Sequence, residues 1–185
     1  MARPAEHSIR IIGGRWRGTR IAVANREQLR PSADRVRETL FNWLAPELAG
    51  ARCLDLYAGT GVLGFEALSR GARCADLVEK DGALVTRMNA LKERLKSEDA
   101  TIYGGDALTW LNGPATLYNI VFVDPPFQRQ QVAAVLTRLA RGWLAPHALV
   151  YVECEREAAF DFGTLTLHRE DTTRQVRYML LRHST

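Results

Sequence analysis

Cysteine, lysine and long apolar runs are what this 185-residue chain has little of. The three cysteines, Cys53, Cys74 and Cys154, are odd in number, sit in apolar strand-like runs and show no metal-ligand spacing. A disulfide framework and a zinc site are therefore not expected, and the cysteines read as reduced core residues. The longest uncharged apolar stretch, Leu117 to Val123, falls far short of the ~18 residues of a membrane span. No apolar signal region follows the amino terminus, so a cytoplasmic location is expected. Internal repeats and low-complexity tracts are also missing. What remains, 46% hydrophobic and 25% charged residues, is ordinary for a folded domain. The length suits one domain with a short appendage.

Arginine outnumbers lysine 22 to 3, and its placement is uneven. Residues 1 to 37 hold nine arginines (Arg3, Arg10, Arg15, Arg17, Arg20, Arg26, Arg30, Arg35 and Arg37) against Glu6, Glu27 and Asp34. That segment is +6 in a chain of net charge +4, so the remainder is −2. Clustered positive charge of this kind points to a polyanionic partner.

His7 to Ala24 reads as an exposed β-hairpin, with Ile9, Ile11 and Ile12 on one arm, Ile21, Ala22 and Val23 on the other, and Gly13, Gly14 and Gly18 bending the middle. Its Gly-Gly-Arg-Trp-Arg-Gly segment combines an aromatic face with two guanidiniums, which suits phosphates and an unstacked base. Arg10, Arg15, Trp16, Arg17, Arg20 and Arg30 are the expected RNA contacts. The alternative is a turn whose Trp16 packs on the body of the domain. Residues 1–30 are accordingly read as a basic arm and 31–185 as the main domain.

The main domain is organised around Leu54 to Gly64, Leu-Asp-Leu-Tyr-Ala-Gly-Thr-Gly-Val-Leu-Gly. A short apolar strand carrying Asp55 runs through a glycine turn into the apolar start of a helix, and Gly59, Gly61 and Gly64 spell GxGxxG. A dinucleotide pyrophosphate would dock on the helix N-terminus, and a carboxylate at the strand end just before it would repel that group. S-adenosylmethionine has no phosphate, and its ammonium and sulfonium favour a carboxylate in the wall. Glu79 ends the next apolar stretch about 20 residues on, where an acid takes ribose hydroxyls.

A helix is expected over Ala33 to Leu48, with Ser32 as N-cap and Val36, Leu40, Phe41 and Leu44 on one face. From residue 52 the pattern alternates: strand Arg52 to Tyr57, helix Val62 to Arg70, strand Cys74 to Glu79, helix Gly82 to Lys96. Strand Ala100 to Tyr103 and a short helix over Ala107 to Leu111 follow, Asp106 either capping that helix or touching an adenine edge. Then come strand Asn119 to Asp124, helix Gln130 to Trp143 and strand Ala148 to Cys154. Leu165 to His168 and Gln175 to Leu181 look like a closing antiparallel pair around a turn signal at Asp171. Such alternation implies a parallel sheet covered on both faces, with ligands at the carboxyl ends of its strands. Asp55, Glu79, Asp106 and Asp124 would then be neighbours, and packing alone does not explain four acids there.

Asp124-Pro125-Pro126-Phe127 is the second informative stretch. Two prolines hold the segment extended and leave carbonyls as acceptors. An exocyclic amine on a base is a poor nucleophile because its lone pair is delocalised into the ring. Hydrogen bonds from that NH₂ to Asp124 and to the Pro125 carbonyl would draw the nitrogen toward tetrahedral geometry. Phe127 can stack on the ring, and in-line placement would supply much of the remaining acceleration. No metal is required.

Ile-Arg-Ile-Ile-Gly-Gly at 9–14, Trp-Arg-Gly at 16–18, Arg-Pro-Ser at 30–32, Asp34-Arg-Val-Arg-Glu-Thr-Leu-Phe-Asn-Trp-Leu, Asp55 to Gly61 and Val121-Phe-Val-Asp-Pro-Pro-Phe together resemble the RsmD family. These are bacterial 16S ribosomal RNA guanine-N2 methyltransferases. The resemblance covers nearly the whole chain. It implies a seven-stranded class I α/β methyltransferase fold, mostly parallel with strand order 3-2-1-4-5-7-6, and S-adenosylmethionine as cofactor. It also implies 16S rRNA in the small ribosomal subunit or its assembly intermediate as partner; the chain is expected to act as a monomer. By motif, Asp55, Gly59 and Gly61 would bind the methionine part, Glu79 the ribose and Asp106 the adenine side. Ser32, Tyr57 and Ala107 would complete that site, and Asp124, Pro125, Pro126 and Phe127 would take the guanine. Ser32 stands where threonine is expected and Tyr57 where phenylalanine is frequent.

Other amine methylations share the Asp-Pro-Pro-Phe chemistry. A DNA adenine-N6 or cytosine-N4 enzyme usually needs an added recognition domain, for which the chain has little room, and a glutamine methylase needs no basic arm. An NAD-dependent oxidoreductase on the GxGxxG and a non-catalytic RNA-binding module are the readings from other classes.

Overall fold

A computed structural model of the chain describes residues 7–23, 31–126 and 131–184. Phe127 and Arg30 lie outside the described residues, as does the side chain of Ser32.

The elements run β1 (His7–Arg10), β2 (Arg20–Val23), α1 (Pro31–Leu48), β3 (Arg52–Asp55), α2 (Val62–Ser69), β4 (Cys74–Glu79), α3 (Gly82–Leu95), β5 (Ala100–Gly104), α4 (Ala107–Trp110), β6 (Tyr118–Val123), α5 (Gln131–Leu139), β7 (Leu144–Glu155), β8 (Leu165–Thr172) and β9 (Val176–His183). β3 to β9 form one sheet in the order β5-β4-β3-β6-β7-β9-β8. Counted within that sheet, this is 3-2-1-4-5-7-6, the expected class I methyltransferase topology. Neighbours from β5 to β7 are parallel, and β9 enters antiparallel between β7 and β8.

Both sheet faces are covered, which is why the central strands carry consecutive apolar residues, Cys53-Leu54 in β3 and Ile120 to Val123 in β6. Cys53, Ile120, Phe122, Leu149 and Tyr151 face one layer, packed with Leu40 and Phe41 of α1, Phe65 of α2 and Met88 of α3. Leu54, Val121, Val123 and Val150 face the other, with Val135 and Leu139 of α5 and Trp143. Side chains alternate along a strand. Two residues beyond Cys53, Phe122 and Tyr151, therefore, Asp55, Asp124 and Glu153 emerge on the α1 side at the carboxyl ends of three adjacent strands.

Three local expectations change. The helix α1 begins at Pro31, whose fixed φ suits a first helical position, so Ser32 falls inside the first turn and does not cap it. β7 reaches back to Leu144, through Pro146 and the positive-φ His147, with a register shift opposite β6. A proline in an apolar run reads as a strand boundary, and here it sits at an irregularity. Asp171 is not the turn: it lies within β8, and its carboxylate accepts the Tyr178 hydroxyl at 2.9 Å, while residues 173–175 make the reversal.

The hairpin is packed, not free-standing. Ile9, Ile11, Ile21 and Val23 are buried. The loop after β1 is bound to α2 through Glu66, a fully buried carboxylate that accepts the Ile12 N–H at 2.7 Å, the Gly13 N–H at 2.8 Å and Arg70 Nε–H at 2.7 Å. Ser69 completes the attachment: its carbonyl accepts the Arg15 N–H at 2.8 Å and its hydroxyl the Trp16 N–H at 2.9 Å. Trp16 meets Phe65 edge-on at 6.4 Å, under the Arg15 guanidinium at 4.1 Å. Trp16 is half-buried, and the packing named as the alternative for it accounts for this side of its ring.

Candidate active site

The turn between β3 and α2 is built by backbone geometry. Leu56 N–H extends the β3–β6 pairing to the Phe122 carbonyl at 3.1 Å, and Ala58 N–H reaches across to Val78 at 3.0 Å. Gly61, the N-cap of α2, has φ 79°, and a Cβ there would lie 2.9 Å from the Phe65 ring and 3.0 Å from the Met88 sulfur. Only glycine satisfies both the backbone and the space. A Cβ on Gly64 would sit 2.8 Å from Leu77, so α2 packs hard on β4. The glycines thus make the loop and seat the helix.

At the head of the loop, Gly59 N–H donates to Glu79 Oε2 at 2.8 Å, while Glu79 Oε1 accepts Asp81 N–H at 2.9 Å. Asp55 turns toward α2 and accepts the Gly64 N–H at 3.2 Å through Oδ2. It is 2% exposed, and burial pushes it up to about 7, against the pull of Gly64's N–H and helped by Glu79 nearby. Asp106 caps α4, accepting the Thr109 N–H at 3.0 Å.

These strand ends open on one cavity of about 570 Å³, within the range of small-molecule sites. Its wall includes Asp55, Tyr57, Gly59, Glu79, Asp106 and Ala107 on one side and Asp124, Pro125 and Pro126 on the other. Nine of the residues expected to bind cofactor or substrate therefore share a single hollow. Gly61 is not in the wall; it shapes the loop from behind. Tyr57 donates its hydroxyl to Gln131 Oε1 at 2.9 Å, tying the loop to α5.

Asp124 is enclosed by protein while keeping part of its surface on the cavity. Burial raises its carboxyl well above the usual range, and the neighbouring Glu153 and Asp55 carboxylates raise it further. Loss of hydration and like charge act in the same direction, so this acid holds a proton more readily than an exposed one.

Sequence reasoning missed three residues here. Glu153 lines the cavity beside Asp124 and accepts the Tyr151 hydroxyl at 2.9 Å; it reads as one more residue of an apolar strand, and only register with β6 brings it to the site. Arg37 also lines the cavity, though helical spacing alone gives no signal for it. Glu66 looks like a solvated position in a short helix but is the buried anchor of the hairpin loop.

The basic loop tip lies elsewhere. Arg15 pairs with Asp99, which precedes β5, at 3.1 Å, and the loop sits on the last turn of α2. That end of the sheet is opposite the cavity, about 12 Å away along α2 alone. Arg15, Trp16 and Arg17 therefore do not reach a base held at Asp124. Arg10 and Arg20 face each other across the hairpin and are exposed, closer to Ile9, which lines the cavity. Among the described residues no group of three or more potential ligands is placed to hold a metal, and no helix is long and apolar enough to cross a membrane.

Residues 9–182 match the family described as conserved hypothetical protein 95. The chain is 47% identical over 175 residues to ribosomal RNA small subunit methyltransferase D of Escherichia coli, covering 93% of this chain and 88% of that one. It is 41% identical over 182 residues to the protein of the same name from Haemophilus influenzae, covering 95% and 94%. A solved Escherichia coli chain provisionally described as the methyltransferase yhhF superposes with a TM-score of 0.89 at 46% identity, over 97% of this chain and 99% of that one. A provisionally described Haemophilus influenzae methylase superposes with a TM-score of 0.84 at 36% identity, over 97% and 100%.

Proposed function

Since the chain belongs to the RsmD family of ribosomal RNA small subunit methyltransferases, we propose that it transfers a methyl group from S-adenosylmethionine to the exocyclic N2 of a guanine in 16S rRNA. The observation that carries this reading is the shared cavity: the glycine loop with Glu79 and the Asp124-Pro125-Pro126 corner open on the same space.

The residues present fit the donor. Carboxylates of Asp55, Asp124 and Glu153 suit a sulfonium and an ammonium, and Glu79 stands at the end of β4 with lone pairs remaining beyond its two backbone bonds. When bound, S-adenosylmethionine supplies a methyl group on a positively charged sulfur that is already a good leaving group. An NAD pyrophosphate fits poorly, because six carboxylates line the cavity against two cations, Arg37 and Lys80.

On the acceptor side, Asp124 accepts a hydrogen bond from the guanine amine and orients its nitrogen. As the new carbon–nitrogen bond forms, the nitrogen loses a proton, and the raised affinity of the Asp124 carboxyl makes it a suitable place for that proton. Pro125 and Pro126 stiffen the corner, so the acceptor's position is set before substrate arrives. The target guanine must be unpaired or flipped out, which costs a few kcal/mol and favours loops. Exposed Arg10 and Arg20 supply phosphate contacts near the cavity, with Arg15 and Arg17 touching RNA farther off. The reading takes the protein to act as a monomer, in the cytoplasm, during ribosome assembly.

The test is methyl transfer from labelled donor to small-subunit particles isolated from cells that lack this protein. Label in 16S rRNA is expected with the wild type and not with D124A. Label in protein or DNA instead would overturn the proposal.

A further inference from the structure

The cavity presents an electrostatic problem that one residue solves. A donor with a methionine tail brings an α-carboxylate as well as its two positive groups. Placed among six carboxylates, that anion would be expelled unless a cation received it. Resting on the methyltransferase reading above, we infer that Arg37 is the anchor for the α-carboxylate of the donor.

Arg37 is 5% exposed and lines the cavity from α1, the helix that covers the sheet face on which Asp55, Asp124 and Glu153 emerge. Its guanidinium is held in place: Nη2–H donates to the Arg10 carbonyl at 2.6 Å and to Asp34 Oδ1 at 3.0 Å. The rest of the group faces the buried Glu66 side. Nε has no hydrogen-bond partner among the described residues, standing 4.0 Å from Glu66 Oε2.

Neutralising Glu66 does not account for Arg37, because Arg70 bonds that carboxylate at 2.7 Å and two backbone N–H groups bond it as well. A planar cation held on one side and lining the cavity matches a carboxylate, and little rotamer freedom is left to lose on binding. Lys80, the other cation, follows Glu79 at the end of β4 and belongs to the sugar side.

The test compares S-adenosylhomocysteine with its α-carboxamide, which keeps the nucleoside, thioether and amine and removes only the negative charge. Dissociation constants are measured by calorimetry for the wild type, R37M and R37K, with melting curves to confirm folding. The wild type is expected to prefer the acid by about 10-fold to 100-fold, as for one buried charge-assisted contact. R37M should bind the two ligands alike, and R37K should keep part of the preference. An R37M that retains the wild-type ratio overturns the inference. So does a wild type that binds both ligands equally, a result that needs no variant to fold. A wild type with no affinity for either ligand would instead remove the methyltransferase reading, and the inference with it.

Discussion

Glu79 and Gly59 are joined across two strands, the carboxylate at the end of β4 accepting the loop N–H at 2.8 Å. Because the other oxygen accepts Asp81 N–H, one side chain links the glycine loop to the start of α3 and sets the width of the cavity between them. Replacing it by alanine is expected to weaken S-adenosylhomocysteine binding at least about tenfold and to lower stability by about 1–2 kcal/mol. E79Q, which keeps one acceptor, should lose less of both. Calorimetric titration and urea unfolding measure the pair, and unchanged affinity in E79A would remove Glu79 from the site.

Glu66 governs the hairpin. Its removal strands the Ile12 and Gly13 N–H groups and leaves Arg37 and Arg70 short of a buried counter-charge. E66A is expected to lose about 3 kcal/mol or more of stability. Amide exchange at residues 12 and 13 should accelerate well before the sheet opens. A loss below about 1 kcal/mol would mean that the loop holds to α2 without this carboxylate.

Acidity at Asp55 gives the ligand-free protein a pH dependence. Burial pushes the folded carboxyl up to about 7, above the ~3.9 of an unfolded aspartate. The folded state therefore holds this proton more tightly, so the contribution is complete below about pH 4 and is lost as pH rises through about 7, by at most about 4 kcal/mol. The ligand-free melting temperature should fall from pH 5 to pH 8, and fall less in D55N. A ligand with an ammonium favours the ionised form, so S-adenosylhomocysteine binding at pH 7 should release protons, seen by calorimetry in two buffers of different ionisation enthalpy. A flat melting profile with no proton release would contradict this environment for Asp55.

Substitution at Asp124 is expected to separate chemistry from binding. D124N keeps the shape of the corner but cannot hold the departing proton as a carboxylate does, and turnover is expected to fall about 100-fold or more. Affinity for S-adenosylhomocysteine should stay within a few-fold of wild type. Joint loss of turnover and cofactor binding would mark Asp124 as structural.

The sheet was legible because each signal was local: the β3 turn needed glycine at Gly61, acids ended successive apolar runs, and helical spacing marked α1. The site was legible as far as those strand ends went. Glu153 was hidden because its position depends on pairing with β6, and Glu66 because an isolated acid in a short helix resembles a surface residue. Trp16 beside two arginines carries the composition of a nucleic-acid contact. Only the docking of the loop on Ser69 and Phe65 shows that its ring also packs against the body of the domain. Asp171 misled because a turn-forming residue also occurs inside a strand, where its carboxylate is taken up by the Tyr178 hydroxyl of the neighbouring strand.

The most direct measurement is nucleoside mass spectrometry of 16S rRNA after small-subunit particles lacking the modification are incubated with the purified protein and S-adenosylmethionine. The account predicts N2-methylguanosine with the wild type and almost none with D124N. Methyl groups on adenine N6, or no methylated nucleoside from a protein that still binds S-adenosylhomocysteine, would contradict it.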